Sequence, residues 1–192
     1  MLGSQARGGT RPMLASLRVA LNVGFVALGV ALSTFSIPIG PARVFPFQHM
    51  INVLVGILVG PLDAVVVAAI IGIIRNALGT GTVLAFSGIF GGLIVGSLYR
   101  YVWRDDHVAW FESVGTVVVG GTLGYLLLLP VAQPTTYLGF MPGKPLAKEF
   151  LGFTGLIALW VSFGVSSVPG SALGLVVLRA LRRAGLPLLV GK

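Results

Sequence analysis

Hydrophobic stretches follow one another along nearly the whole chain, and short polar or Gly/Pro marks divide them into segments. The apolar stretches cover residues 14–36, 47–60, 62–75, 83–101, 111–131 and a long final segment within 150–183. A helix needs ~20 apolar residues to cross a hydrocarbon core, and shorter helices cross where the bilayer thins or helices pack together. The pattern therefore predicts an all-α membrane protein, a six-transmembrane-helix bundle. Two stretches, 47–60 and 62–75, are short, ~21 Å each as helix, and only Gly60-Pro61 separates them. They read either as two antiparallel spans or as one kinked span.

Charge decides between these. With six crossings and an inside N-terminus, the inner side receives Arg7, Arg11, Arg18, Arg100, Arg104, Arg179, Arg182, Arg183 and Lys192, and the outer side only Arg43, Arg75, Lys144 and Lys148. That bias obeys the positive-inside rule. Merging the two short stretches would put the Arg100/Arg104 loop and the basic C-terminus outside. Six crossings with cytoplasmic termini is the consistent reading, giving tails at 1–13 and 184–192 around one membrane domain at 14–183. Residues 1–13 resemble the start of a signal peptide, but the run that follows is too long for a signal core and lacks a convincing cleavage site. In the last segment, Ser166-Ser167-Val168-Pro169-Gly170 predicts either a kinked crossing or an outer half-helix before a short final span.

Composition narrows the function classes. The chain is 56% hydrophobic and 9% charged, with 28 glycines and no cysteine. Disulfides, thiolate metal sites and Cys nucleophiles are excluded. The formal charge of +8 lies between apolar spans rather than on one face, which fits an anionic inner leaflet better than nucleic acid.

Small residues recur at helical spacing. Ala20, Gly24, Ala27 and Ala31 share one face of the first span; Gly88, Gly92 and Gly96 form a ridge in the fourth; Gly56/Gly60, Gly120/Gly124 and Gly170/Gly174 repeat the theme. In lipid, close approach through small residues drives helix packing. Packing inside the bundle is the plain reading of each ridge, and the first-span stripe, the longest, is the candidate for docking a partner helix.

Polar groups cluster where the pattern should be apolar. Residues 45–52 read Phe-Pro-Phe-Gln-His-Met-Ile-Asn, so Gln48, His49 and Asn52 share a helix face at the outer end of the second span. Arg75 and Asn76 end the third span on the same side, followed by the Gly79-Thr80-Gly81-Thr82 turn. An ionisable residue at a span end can simply snorkel to water, but polar density at two adjacent span ends points to a ligand pocket. Thr80 and Thr82 are further contacts, and Trp160 is positioned to stack a flat ring or to sit in an interfacial belt. The proline-rich connections 37–46 and 132–147 are candidate lids. Outside basic charge disfavours a cationic solute and suits a neutral heterocycle or an anion. The acids Asp63, Asp105, Asp106 and Glu112 are placed at the inner side. No phosphate-loop lysine follows the Gly-Thr turn, and with the two histidines placed on opposite sides no catalytic constellation or metal site forms.

The strings Phe45-Pro46-Phe47-Gln48-His49 and Arg75-Asn76 through Gly79-Thr80-Gly81-Thr82, with Leu84-Ala85-Phe86-Ser87-Gly88 to Tyr99-Arg100 and Ser166 to Gly170, resemble the ThiW family over residues 14–183. The resemblance implies a bundle of the energy-coupling-factor (ECF) S-component type, a substrate-binding subunit without cofactor or ATPase of its own. It implies a membrane coupling (T) subunit and two cytosolic ATPases as partners, a first helix that contacts the coupling subunit, and uptake of hydroxyethylthiazole, the thiazole precursor of thiamine. The competing readings are a self-sufficient channel or secondary carrier, which would show an inverted repeat or mid-membrane charge, and a membrane-embedded enzyme.

Overall fold

The computed structural model describes residues 15–39, 42–79, 83–128 and 153–185. Both tails other than Ala184 and Gly185, the 132–147 connection, and Thr80 and Thr82 lie outside the described residues. Apart from one short ribbon, the described chain is helical. Helix α1 is Ala15–Leu32, followed by strands β1 (Ile37–Ile39) and β2 (Ala42–Val44), then α2 (Pro46–Leu58) and α3 (Pro61–Ala77). A 3-10 turn, Val83–Ser87, leads into α4 (Gly88–Ser97), which continues as a π-helical stretch, Leu98–Val102. The fifth segment is composite: a 3-10 turn Asp106–Trp110, α5 (Phe111–Val114), π turns at Gly115–Gly120 and Gly124–Leu128, and α6 (Gly121–Leu123) between them. Helix α7, Phe153–Arg183, is the last.

Three of these are long and apolar enough to cross a membrane: Ala15–Leu32, Leu84–Val102 and Gly155–Arg183. The shortness of α2 has a physical reason. Nearly every one of its residues is buried, because α1, α3, α4 and α7 surround it. Helix α2 is the axis of the core, with Ile51, Val53, Val55 and Ile57 fully enclosed.

The choice between one kinked span and two helices is settled as two. Gly60 has φ of 146°, a conformation that side chains with a Cβ rarely adopt. Pro61 opens α3 at a position where its missing N–H costs nothing. The chain reverses there, so Arg75, near the end of α3, returns to Gln48, near the start of α2. The described segments alternate in direction. One end of the bundle carries Arg18 with Asp63, Arg182 with Asp106, and His107 with Arg179. In that end's connection, Asp105 accepts the His107 backbone N–H at 2.7 Å and contacts its ring nitrogen, which holds the Asp105 carboxyl below its ordinary range. The other end carries Gln48 with Arg75, and Phe45 N–H on Ser166 Oγ at 2.9 Å.

Glycine ridges set the packing distances. A Cβ on Gly56 would lie 3.0 Å from the Gly92 carbonyl oxygen, and one on Gly96 would lie 2.7 Å from Pro61 Cα. Helices α2 and α4 thus touch backbone to backbone. Gly115 sits equally close to Phe90 and Gly91, and Gly174 to Val53. These ridges are internal, as their plain reading has it.

One expectation is revised, and between the two readings of the last segment the single helix holds. The 37–46 connection is not wholly loop: Ile37 pairs with Val44 and Ile39 with Ala42 in an antiparallel ribbon, and β-branched Ile37, Ile39 and Val44 favour it. The last segment is one unbroken helix, ~46 Å long, with Pro169 inside it. Pro169 and Val165, whose carbonyl the proline leaves unbonded, both face outward, so the lost bond disturbs no helix contact. Gly170 and Gly174 take the inward face instead.

Helix α1 is held differently. Residues two apart in a helix point ~200° apart, so Arg18, Asn22 and Gly29 face one way and Ala20, Gly24, Ala27 and Ala31 the other. Arg18 grips Asp63 through both carboxylate oxygens at 2.7 Å and Asn22 adds a third bond. Gly29 is buried against Ile71. Every member of the small-residue stripe is exposed, and a Cβ on Gly24 would meet nothing within 4 Å.

Candidate functional site

Gln48, His49, Asn52 and Arg75 are brought together and buried, none more than 8% exposed at the side chain or residue level. Their helix positions explain the grouping. Asn52 lies four residues after Gln48 and three after His49, so the three project from one side of α2. The Arg75 guanidinium donates to Gln48 Oε1 and stacks over the Phe45 ring at 4.4 Å from its centroid. Gln48 Nε2 donates to the Ala85 carbonyl at 3.3 Å. Asn52 Nδ2 donates to the Gly88 carbonyl at 3.0 Å, a contact that depends on Gly88 having no side chain, since a Cβ there would lie 3.1 Å from the amide nitrogen.

The centre of the group is a residue that sequence reasoning placed elsewhere. Glu112 is fully buried. Its Oε1 accepts from Asn52 Nδ2 at 3.0 Å and Thr116 Oγ1 at 2.8 Å, with His49 Nδ1 at 2.8 Å, and its Oε2 accepts from Ser171 Oγ at 3.3 Å. Ser113 Oγ lies 3.0 Å from Ser171 Oγ and extends the network. The inner-side placement of Glu112 is therefore corrected. The 3-10 turn Asp106–Trp110 carries the chain ~10 Å inward before α5 begins. Ser171 likewise stands eight residues, or ~12 Å, from Arg179, which pairs with His107 near the bundle's end. Glu112 is an internal carboxylate between the two ends. The missed signal was Glu112 and Thr116 at i, i+4 within an otherwise apolar segment.

Other nominated residues lie apart. Asn76 is half-buried and bonds back to the Gly72 carbonyl of its own helix at 2.8 Å. Trp160 donates to Thr122 Oγ1 at 3.2 Å and packs against Gly121, not against the Gln48–Arg75 group. Thr80 and Thr82 are not among the described residues. Two further serines flank the network: Ser87 Oγ and Ser167 Oγ are buried without a hydrogen-bond partner. Ser167 is one turn before Ser171 on the same face of α7, and Ser87 immediately precedes Gly88. Among the described residues no group of acidic, His or Cys side chains is arranged to hold a metal ion.

This arrangement is a balanced polar interior. It has one guanidinium bonded to an amide, and beside it one carboxylate joined to an imidazole, an amide and two hydroxyls, contributed by α2, α3, α5 and α7 and the segments beside them. Burying such groups is costly unless each finds partners, and a bundle that only needed to pack would fill these positions with apolar side chains. The chemistry suits capture of a small polar molecule by hydrogen bonds.

A family model described as thiamine-precursor transporter protein (ThiW) matches residues 19–184, most of the chain. No curated protein matches it.

Proposed function

The chain belongs to the ThiW family of thiamine-precursor transporters, and we propose that it is the substrate-capturing S component of an ATP-driven ECF transporter importing hydroxyethylthiazole or a related thiamine-pathway compound. In this reading residues 14–183 form six crossings of a prokaryotic cell membrane, both termini are cytoplasmic, and the buried polar group opens toward the outside. A coupling subunit and two cytosolic ATPases supply the driving force. The observation that carries the reading is the burial of Gln48, His49, Asn52 and Arg75 in one region, with Arg75 bonded to Gln48 and both His49 and Asn52 bonded to Glu112. Polar and charged residues at such depth mark substrate paths.

Calorimetric titration of the purified protein with hydroxyethylthiazole tests it. His49→Ala, Asn52→Ala and Arg75→Ala each remove a buried hydrogen-bonding group, so each should weaken binding about tenfold or more while the protein still inserts and elutes as a folded species. Unchanged affinity in all three variants would remove the site.

The exposed face of α1 supports the second half of the proposal, docking through Ala20, Gly24, Ala27 and Ala31. Because Gly24 borders open space, Gly24→Leu should leave folding and ligand binding intact while abolishing ATP-dependent uptake and co-purification with the coupling subunit. Normal uptake by that variant would turn the stripe into a lipid-facing surface.

One observation favours a second reading. An internal carboxylate beside a histidine is the type of group a proton-coupled secondary carrier uses. Uptake by this chain alone, in vesicles without ATP or partner subunits, would select the carrier.

A further inference from the structure

We propose that the site is built to receive a hydrogen-bond donor, a ligand hydroxyl or N–H, at His49 Nε2, and that Glu112 is the positioning residue that makes Nε2 an acceptor. Glu112 Oε1 already accepts from Asn52 and Thr116 at 3.0 and 2.8 Å. The hydrogen shared with His49 Nδ1, 2.8 Å away, therefore belongs to the ring. A neutral imidazole carries one N–H, so fixing it at Nδ1 leaves a lone pair at Nε2. The same device orients metal-binding histidines through a carboxylate behind the ring.

The remaining hydrogen-bonding capacity supports this assignment. The Asn52 amide donor is committed to Gly88 and Glu112, and the Gln48 amide donates to Ala85. His49 and Asn52 bond through Nδ1 and Nδ2, which leaves the acceptors His49 Nε2 and Asn52 Oδ1 for a ligand, and the Ser87 and Ser167 hydroxyls are buried without a partner. Buried polar atoms without partners are rare in folded proteins, and the two serine hydroxyls lie beside this group. A ligand group seated at Nε2 must offer a proton. An uncharged alcohol does so, whereas its phosphate ester would bring negative charge toward Glu112 and toward lone pairs. The site therefore distinguishes the alcohol from its phosphomonoester. This choice of probe rests on the thiazole reading above; the tautomer does not.

Two measurements test the inference. Long-range 1H–15N spectra of the unliganded protein, with His49 assigned by its loss in His49→Gln, should show hydrogen at Nδ1 and a bare Nε2. Hydrogen at Nε2 instead would overturn the proposal. Titration with hydroxyethylthiazole, its O-methyl ether and its phosphate monoester should show the alcohol binding about tenfold or more tighter than either; equal affinity for all three would also overturn it. Glu112→Gln keeps an oxygen behind the ring but removes the charge. It should narrow the alcohol-to-phosphate ratio about tenfold, and an unaltered ratio denies Glu112 that role. His49→Gln, which keeps an acceptor near the Nε2 position, should bind the alcohol better than His49→Ala. Failure of all three compounds to bind a protein with the Nδ1–H signature counts against the thiazole reading and for the fixed tautomer.

Discussion

Replacing Glu112 by Ala should destabilise the bundle by about 3–5 kcal/mol, the loss typical when one partner of a buried charged network is removed. The residue is fully enclosed and touches His49, Asn52, Thr116 and Ser171. Without the carboxylate, the Thr116 and Ser171 hydroxyls can turn back to carbonyls of their own helices. His49 and Asn52 have no such recourse, and an unsatisfied buried donor costs about 1–3 kcal/mol. Arg75 would also become the one formal charge in the group. Glu112→Gln, which keeps one acceptor oxygen, should lose less than half as much. Chemical unfolding in detergent, followed by tryptophan fluorescence, checks both variants. A loss below about 1 kcal/mol for the alanine would mean that the hydrogen bonds around Glu112 contribute little.

Gly96→Leu should be at least as damaging, for a steric reason. The first added carbon would fall 2.7 Å from Pro61 Cα, 2.8 Å from Pro61 N and 3.0 Å from the Gly56 carbonyl oxygen. Those are backbone atoms at a turn whose Gly60 is already in a conformation reserved for glycine. They have no rotamer to change, so α2, α3 and α4 must separate. Overpacking a tight interior costs about 1–3 kcal/mol even when side chains move aside, and here the cost should exceed that range, with most of the protein recovered as aggregate. The same substitution at Gly24 should leave the fold intact. The contrast between two glycines of similar sequence context is a direct check on which ridge faces inward: equal yields and equal thermal stability for the two variants would contradict the packing described here.

The hydropathy pattern carried much of this architecture. Where both limits are described, the apolar runs agree with the helices to within a few residues, because such runs end at turns whose chemistry is local: Gly60-Pro61, or Ser33 and Thr34 after α1, where both hydroxyls bond to carbonyls one turn back. The grouping of Gln48, His49 and Asn52 was legible from i, i+3 and i+4 spacing alone. Their meeting with Arg75 followed once α2 and α3 were taken as antiparallel. Glu112 was not legible, because its depth depends on the short 3-10 turn before α5 and its partners lie 60 and 63 residues away in α2. Trp160 was nominated for its aromatic face, and its indole N–H instead found Thr122. The continuity of α7 through Pro169 was one of two readings, and nothing local in Ser166–Gly170 chose between them, because that depends on which side of the helix has the freedom to lose a hydrogen bond.

A structure determined with hydroxyethylthiazole bound tests the central claim most directly. The ligand should lie against Gln48, Asn52 and Arg75 with its hydroxyl on His49 Nε2. A ligand found elsewhere, with these four side chains keeping the partners they have without it, would contradict it.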